Sequence, residues 1–84
     1  MEVWIVFHSY NANTDNSIMG VFESKEMAYA YVEEYIESSK EYSKNKTWME
    51  PYIRTSGEGE YNTENYEESF EITCHTVKVK EANQ

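Results

Sequence analysis

Apolar residues near the start of the chain fall on both parities: Val3, Ile5 and Phe7 alternate with Trp4, Val6 and His8. Period-2 placement with apolar side chains on both faces predicts a strand covered twice, either inside a sheet or against another subunit. Ser9 to Ser17 is polar, rich in residues that form local side-chain turns, and without a period, so it reads as a loop. Ile18 to Phe22 is a second strand, in which Gly20 marks a bulge or a close backbone approach. Ser24 is placed to cap a helix from Lys25 to about Ser43, with Glu26 in its first turn. Ala28, Tyr31, Val32, Tyr35, Ile36 and Tyr42 recur at helical spacing and predict its sheet-facing stripe. The opposite side carries Glu26, Glu33, Glu37 and Glu41.

Trp48 to Arg54 reads as a third, short strand, and Pro51, which lacks a donor, confines it to an edge or a bulge. Gly57 and Gly59 open a polar connection that runs to about Glu68. Phe70 to Val79 is the last strand. Its apolar set changes parity, from Phe70, Ile72 and Cys74 to Val77 and Val79, which predicts either a bulge near His75 or Thr76 or a strand covered on both sides at different points. The order strand, strand, helix, strand, strand is α+β: one domain over residues 1–84, with an antiparallel sheet of about four strands and one helix on one face (ββαββ). The sheet's other face, expected to hold Trp4, Val6 and either Met19 or Val21, then needs a cover, which points to a dimer or larger assembly.

Composition sharpens this picture. A chain of 84 residues buries only about 60–65% of its unfolded surface. Its 39% apolar content is modest, but eight tyrosines, two tryptophans and three phenylalanines bring enough area for a core. The tyrosines outnumber what one small core needs, so several are expected at a surface. Sixteen acidic residues against seven basic give a net charge of −9. Without a metal ion, direct binding to nucleic acid or to an anionic membrane is not expected, because both depend on cationic contact with phosphate. The single cysteine, Cys74, rules out an internal disulfide and suits a reducing compartment. The first residues lack a basic segment ahead of the apolar run, and no run approaches a membrane span. A cytoplasmic protein is expected.

Candidate chemistry is sparse. Cys74 and His75 are strand neighbours, so their side chains leave opposite faces and form no nucleophile–base pair. Cys74 is expected to be a small buried hydrophobe, and His8 to be a structural or solvent-facing histidine that could also pair with a carboxylate. No spacing of His, Cys, Asp or Glu matches a zinc or calcium site. Gly57-Glu58-Gly59 lacks the lysine and the charge of a phosphate loop. No catalytic residue, cofactor or metal is therefore assigned, and an enzyme is not expected. What stands out is residues 55–77, where Glu58, Glu60, Glu64, Glu67, Glu68 and Glu71 meet no lysine or arginine and are interleaved with Tyr61, Tyr66 and Phe70. Such a ribbon imitates spaced phosphates and attracts a basic surface, with Tyr61 and Tyr66 as anchors. Glu33, Glu37 and Glu41, an i, i+4 series of like charges, would assist it.

The hydrophobic strand ending in His8-Ser9-Tyr10, the Gly20-Val21-Phe22-Glu23-Ser24 entry to a Glu-, Ala- and Tyr-rich helix, and the closing Phe70-Glu71-Ile72 strand resemble a family of small uncharacterised domains. These domains occur in bacteriophages and their hosts. The resemblance covers residues 3–40 and 69–79, while 45–68 is longer and more acidic than the family pattern. It implies a phage setting, in which small acidic proteins block host enzymes or defence systems. The leading expectation is a non-enzymatic inhibitor acting in the host cell, bound to a basic surface of a nucleic-acid-handling or anti-phage defence protein. Two rival readings are a nucleotide-signal sponge, with Tyr10, Trp4 and Trp48 forming an aromatic pocket between subunits, and a structural or assembly subunit.

Overall fold

The computed structural model describes residues 1–10, 17–40 and 46–78. Five strands and one helix follow in the order β1 (Glu2–Tyr10), β2 (Ser17–Phe22), α1 (Lys25–Ser39), β3 (Tyr52–Ile53), β4 (Gly59–Asn62) and β5 (Glu68–Thr76). All strand pairs are antiparallel, in the spatial order β2-β1-β5-β4-β3. The fold is α+β, with α1 on one face of the sheet, close to the ββαββ expectation. The additional strand is β4, which lies inside the acidic segment expected to be a connection. Gly59 and Tyr61 turn inward while Glu60 and Asn62 turn outward.

The helix starts where its cap allows. Ser24 has extended backbone (φ −136°, ψ 154°), and its Oγ accepts from the Met27 N–H at 3.2 Å. Ala28, Val32 and Ile36 are buried against the sheet, with Tyr31 and Tyr35 half-buried beside them. Tyr42 and Glu41, assigned to the same helix from sequence, lie outside the described residues. From the sheet, Trp4, Val6, Tyr61, Phe70 and Ile72 meet this stripe. Phe70 is the hub: Tyr35 packs edge-on at 5.1 Å between centroids, and Trp48 stacks at 5.6 Å. Complete burial of Phe70, Ile72, Val6 and Val32 contributes about 1.5–3 kcal/mol for each side chain.

The structure corrects several details. Trp4, Val6 and Met19 belong to the helix-covered side, and it is Val3, Ile5, Phe7, Ile18 and Val21 that occupy the open face. With apolar residues on both parities, β1 alone could not reveal which set the helix would take. No bulge falls near His75 or Thr76, whereas the irregularity expected at Gly20 is present. β1 and β5 pair without interruption from Glu2↔Thr76 to Tyr10↔Glu68, whereas the β1–β2 register slips between Val6 and Phe7, opposite Gly20. Val77 lies past the end of β5 and is 42% exposed, and Val79 is outside the described residues. The strand expected over Trp48–Arg54 shortens to the edge strand β3, preceded by an isolated Trp48↔Thr63 bridge.

Candidate functional site

The acidic segment folds into β4, β5 and the turns at their ends. Before β4, the Arg54 N–H donates to Glu58 O at 2.7 Å and the Gly57 N–H to Arg54 O at 2.9 Å. Gly57 takes φ +95°, a region that L side chains rarely adopt. Its carbonyl accepts from the Tyr29 hydroxyl at 2.7 Å, which ties this turn to the helix.

At the other end, residues 63–67 connect β4 to β5. The Thr63 N–H donates to Glu68 O at 3.1 Å, the Tyr66 N–H to Thr63 O at 2.9 Å, and the Glu67 N–H to Asn65 Oδ1 at 3.2 Å. Tyr66 is left-handed, with φ 58°. These bonds occupy the backbone and direct Glu64, Tyr66 and Glu67 into solvent; Tyr66 is 61% exposed.

The carboxylates of this hairpin have three different fates. Glu60 and Glu71 are direct cross-strand partners on the open face. The cation paired with them among the described residues is Arg54, whose Nη2 lies 3.9 Å from Glu60. Glu58 is half-buried and structural: its Oε2 accepts from the Cys74 N–H at 2.9 Å, and Ser56 Oγ donates to Oε1 at 3.2 Å. The Cys74 amide, followed by Ser56, holds Glu58 below the usual carboxylate range against the opposing effect of burial.

Glu68 is 1% exposed and cannot touch a partner. His8 Nε2 lies 2.5 Å from its Oε2, and Lys46 Nζ lies 2.5 Å from its Oε1. Burial pushes its ionisation up, but the bonds from Lys46, His8 and Tyr10 prevail and hold it below the ordinary value. The same bond from Glu68 raises Lys46.

Tyr61 is likewise withdrawn, at 4% exposure, with its hydroxyl donating to Glu33 at 3.1 Å. Burial first, and then Glu33, raises its ionisation well above the usual phenol value. Of the two expected tyrosine anchors, Tyr66 alone faces solvent.

The helix carboxylates form a separate surface. Glu33 and Glu37 are exposed on α1, on the side of the sheet away from Glu60 and Glu71, and Glu37 pairs with Lys40 at 3.2 Å. With Glu50 they edge a groove of about 650 Å³ floored by Ile36, Trp48 and Tyr61. They do not extend the hairpin's surface. Glu41 lies outside the described residues. The site that the structure brings together is therefore Glu60, Glu64, Tyr66, Glu67 and Glu71.

The carboxylate partner allowed for His8 is Glu68, and Lys46 completes a buried cluster that the sequence did not reveal as a unit, although parity pointed to two of its members. His8 shares its face with Trp4 and Val6, and Glu68 shares its face with Phe70 and Ile72. The aromatics of the pocket expected between subunits are also placed differently. Trp4 lies in the core, Trp48 stacks on Phe70, and Tyr10 alone is exposed, at 47%.

Cys74 is half-buried against the core, and burial pushes its thiol up. His75 is exposed on the other face, 2.7 Å from Thr73 Oγ1. Among the described residues, no group of His, Cys, Asp or Glu is arranged to hold a metal ion, and no helix is long and apolar enough to cross a membrane.

Fold and surface together define a small α+β domain with one helix-covered sheet face and an acidic hairpin. The chain belongs to the family described as domain of unknown function DUF7336, whose model matches residues 1–50. That span holds β1, β2 and α1, whereas the acidic hairpin follows it. No curated protein and no solved structure matches the chain.

Proposed function

We propose that the protein is a non-enzymatic binder of a basic protein surface, acting through the β4–β5 hairpin as a phage-type inhibitor. Its target would be a nucleic-acid-handling or defence protein of the host cell, whose phosphate-binding surface the hairpin's carboxylates would occupy.

One observation carries the reading: Glu60 on β4, the strand next to the edge strand β3, and Glu71 on β5 stand directly opposite one another on an exposed face. Like charges so placed oppose folding by a few tenths of a kcal/mol up to about 1 kcal/mol. Nothing in the packing requires either carboxylate, since both point away from the core. A cationic partner would relieve that repulsion on binding. Glu64 and Glu67 continue the negative potential to the hairpin tip, and Tyr66 offers an amphipathic ring beside them.

The test is affinity capture from host lysate at low and high salt, repeated with the Glu60→Gln/Glu64→Gln/Glu67→Gln/Glu71→Gln variant. The reading requires a partner that carries a basic surface, is retained at low salt, and is lost both at high salt and with the variant. Equal retention by the variant would remove it.

A further inference from the structure

The groove beside α1 combines an aromatic floor with unpaired charge. Its volume, about 650 Å³, is in the range of small-molecule sites. Trp48 and Tyr61 lie on the floor, and Glu33 and Glu50 stand on opposite walls, one on α1 and the other ahead of β3. Two lysines also line the groove, but each is already engaged: Lys40 with Glu37 at 3.2 Å, and Lys46 with the buried Glu68. Among the described residues, Glu33 and Glu50 have no cation.

These two carboxylates converge. The Tyr61 hydroxyl donates to Glu33 Oε1 at 3.1 Å, which fixes that carboxylate at the rim. Burial and Glu33 raise the ionisation of Tyr61, and Glu50 adds to them from the other wall. Trp48 contributes two further features. Phe70 stacks on its indole at 5.6 Å between centroids and holds the ring against the core. Its Nε1–H is buried and has no acceptor among the described residues, although buried donors are almost always paired.

We propose that this groove is a binding site for an arginine-type ligand, a guanidinium carried close to a carbonyl group. The planar cation lies against the Trp48 ring, the side chain to which cations are drawn most strongly. Its edge directs N–H donors to Glu33 and Glu50. The ligand's carbonyl gives the Trp48 N–H its acceptor. Charge sets the sign of the occupant, since an anion would meet two uncompensated carboxylates on a molecule of net charge −9. A lysine-type ammonium matches less well, because it lacks the flat face and the forked donors. The groove opens on the helix side of the sheet, away from Glu60 and Glu71, so the site is independent of the hairpin reading.

The experiment titrates the ¹⁵N-labelled full chain with N-acetylarginine amide and follows the indole N–H signals by NMR. Two tryptophans give two such signals, and Trp48→Phe identifies which is which. The Trp48 signal should shift with a Kd of about 1 mM or tighter at low salt, and binding should weaken as salt rises. N-acetylcitrulline amide, which has the same shape without the charge, should leave the signal in place. Glu50→Gln, which keeps the Tyr61–Glu33 bond, and Glu33→Gln/Glu50→Gln both change exposed positions. Once circular dichroism shows that they fold, the double variant should bind about tenfold more weakly and the single variant should fall between. The variant with glutamine at positions 60, 64, 67 and 71 should bind the probe as the wild type does, which separates this site from the hairpin. A capped Ala-Ala-Arg-Ala-Ala peptide distinguishes the two sources of the chemistry: undiminished affinity assigns the groove to an arginine borne on a protein chain, and a loss assigns it to a free arginine derivative. A Trp48 signal unmoved at about 10 mM probe, equal binding of the citrulline compound, or a folded double variant that binds as well as the wild type overturns the proposal.

Discussion

Replacing Glu68 by glutamine probes the feature that most constrains this small fold. The side chain is 1% exposed, with one oxygen 2.5 Å from His8 and the other 2.5 Å from Lys46. It thereby joins β1, β5 and the segment leading to β3. Glutamine keeps the shape but removes the charge, so the Lys46 ammonium, 27% exposed, stays half-buried without its counterion. Breaking a buried pair from one side costs about 3–5 kcal/mol, and the amide oxygen recovers part of this, so a loss of about 3 kcal/mol is expected. In a domain of this size that corresponds to a melting temperature lower by on the order of 15 °C.

The pH dependence has a definite sign. Glu68 is held below 4.5 in the folded protein, so its contribution is complete above that value and disappears as pH falls through the depressed one. Urea unfolding of the wild type and the variant should therefore show the widest gap near neutrality and a narrowing gap in acid. A variant within about 0.5 kcal/mol of the wild type at pH 7 would refute the cluster's structural role.

Three further outcomes follow from individual contacts. Gly59→Ala would place a Cβ 2.6 Å from the Tyr52 carbonyl and against the Tyr29 hydroxyl; β3 must then shift, with a loss of about 1–3 kcal/mol in denaturant unfolding. Tyr61→Phe removes the bond to Glu33 and is expected to cost about 1 kcal/mol by the same measurement, without altering near-ultraviolet signatures of the other aromatics. Glu71→Lys converts the repulsive pair with Glu60 into an attractive one, so it should raise stability by about 0.5 kcal/mol while weakening capture of a basic partner.

Where side-chain pattern and packing coincide, the sequence was readable. Ser24 as cap, the Ala28–Val32–Ile36 stripe and the inward run Phe70–Ile72 are all set by local period and appear as expected. Reading failed where two elements had to be known together. β1 presents apolar residues on both faces, so only the position of α1 decides that Trp4 and Val6 go inside. β4 is short, and glycine, glutamate and asparagine dilute its signal; yet the alternation of Gly59, Tyr61 and Thr63 inward with Glu60 and Asn62 outward was present in the sequence.

For the candidate site, charge identified the segment but could not sort its members. Glu64, Glu67, Glu60 and Glu71 remain available to a partner, whereas Glu68 and Tyr61 are absorbed by the core and Glu58 by the backbone of β5. Strand parity with Phe70 was the signal that Glu68 turns inward. Lys46, which reaches it from 22 residues away, carried no such mark.

The location of the charge, as opposed to its amount, is the central claim, and one comparison isolates it. The captured partner's association and dissociation rates would be measured against the wild type, the Glu60/Glu64/Glu67/Glu71→Gln variant, and a control with Glu23, Glu26, Glu34 and Glu37 changed to glutamine. Net charge is the same in the two variants. The hairpin variant should associate about tenfold more slowly at low salt and lose most of its salt dependence, while the control stays close to the wild type. Equal slowing of both would contradict a hairpin-centred site and reduce the protein's acidity to a general field.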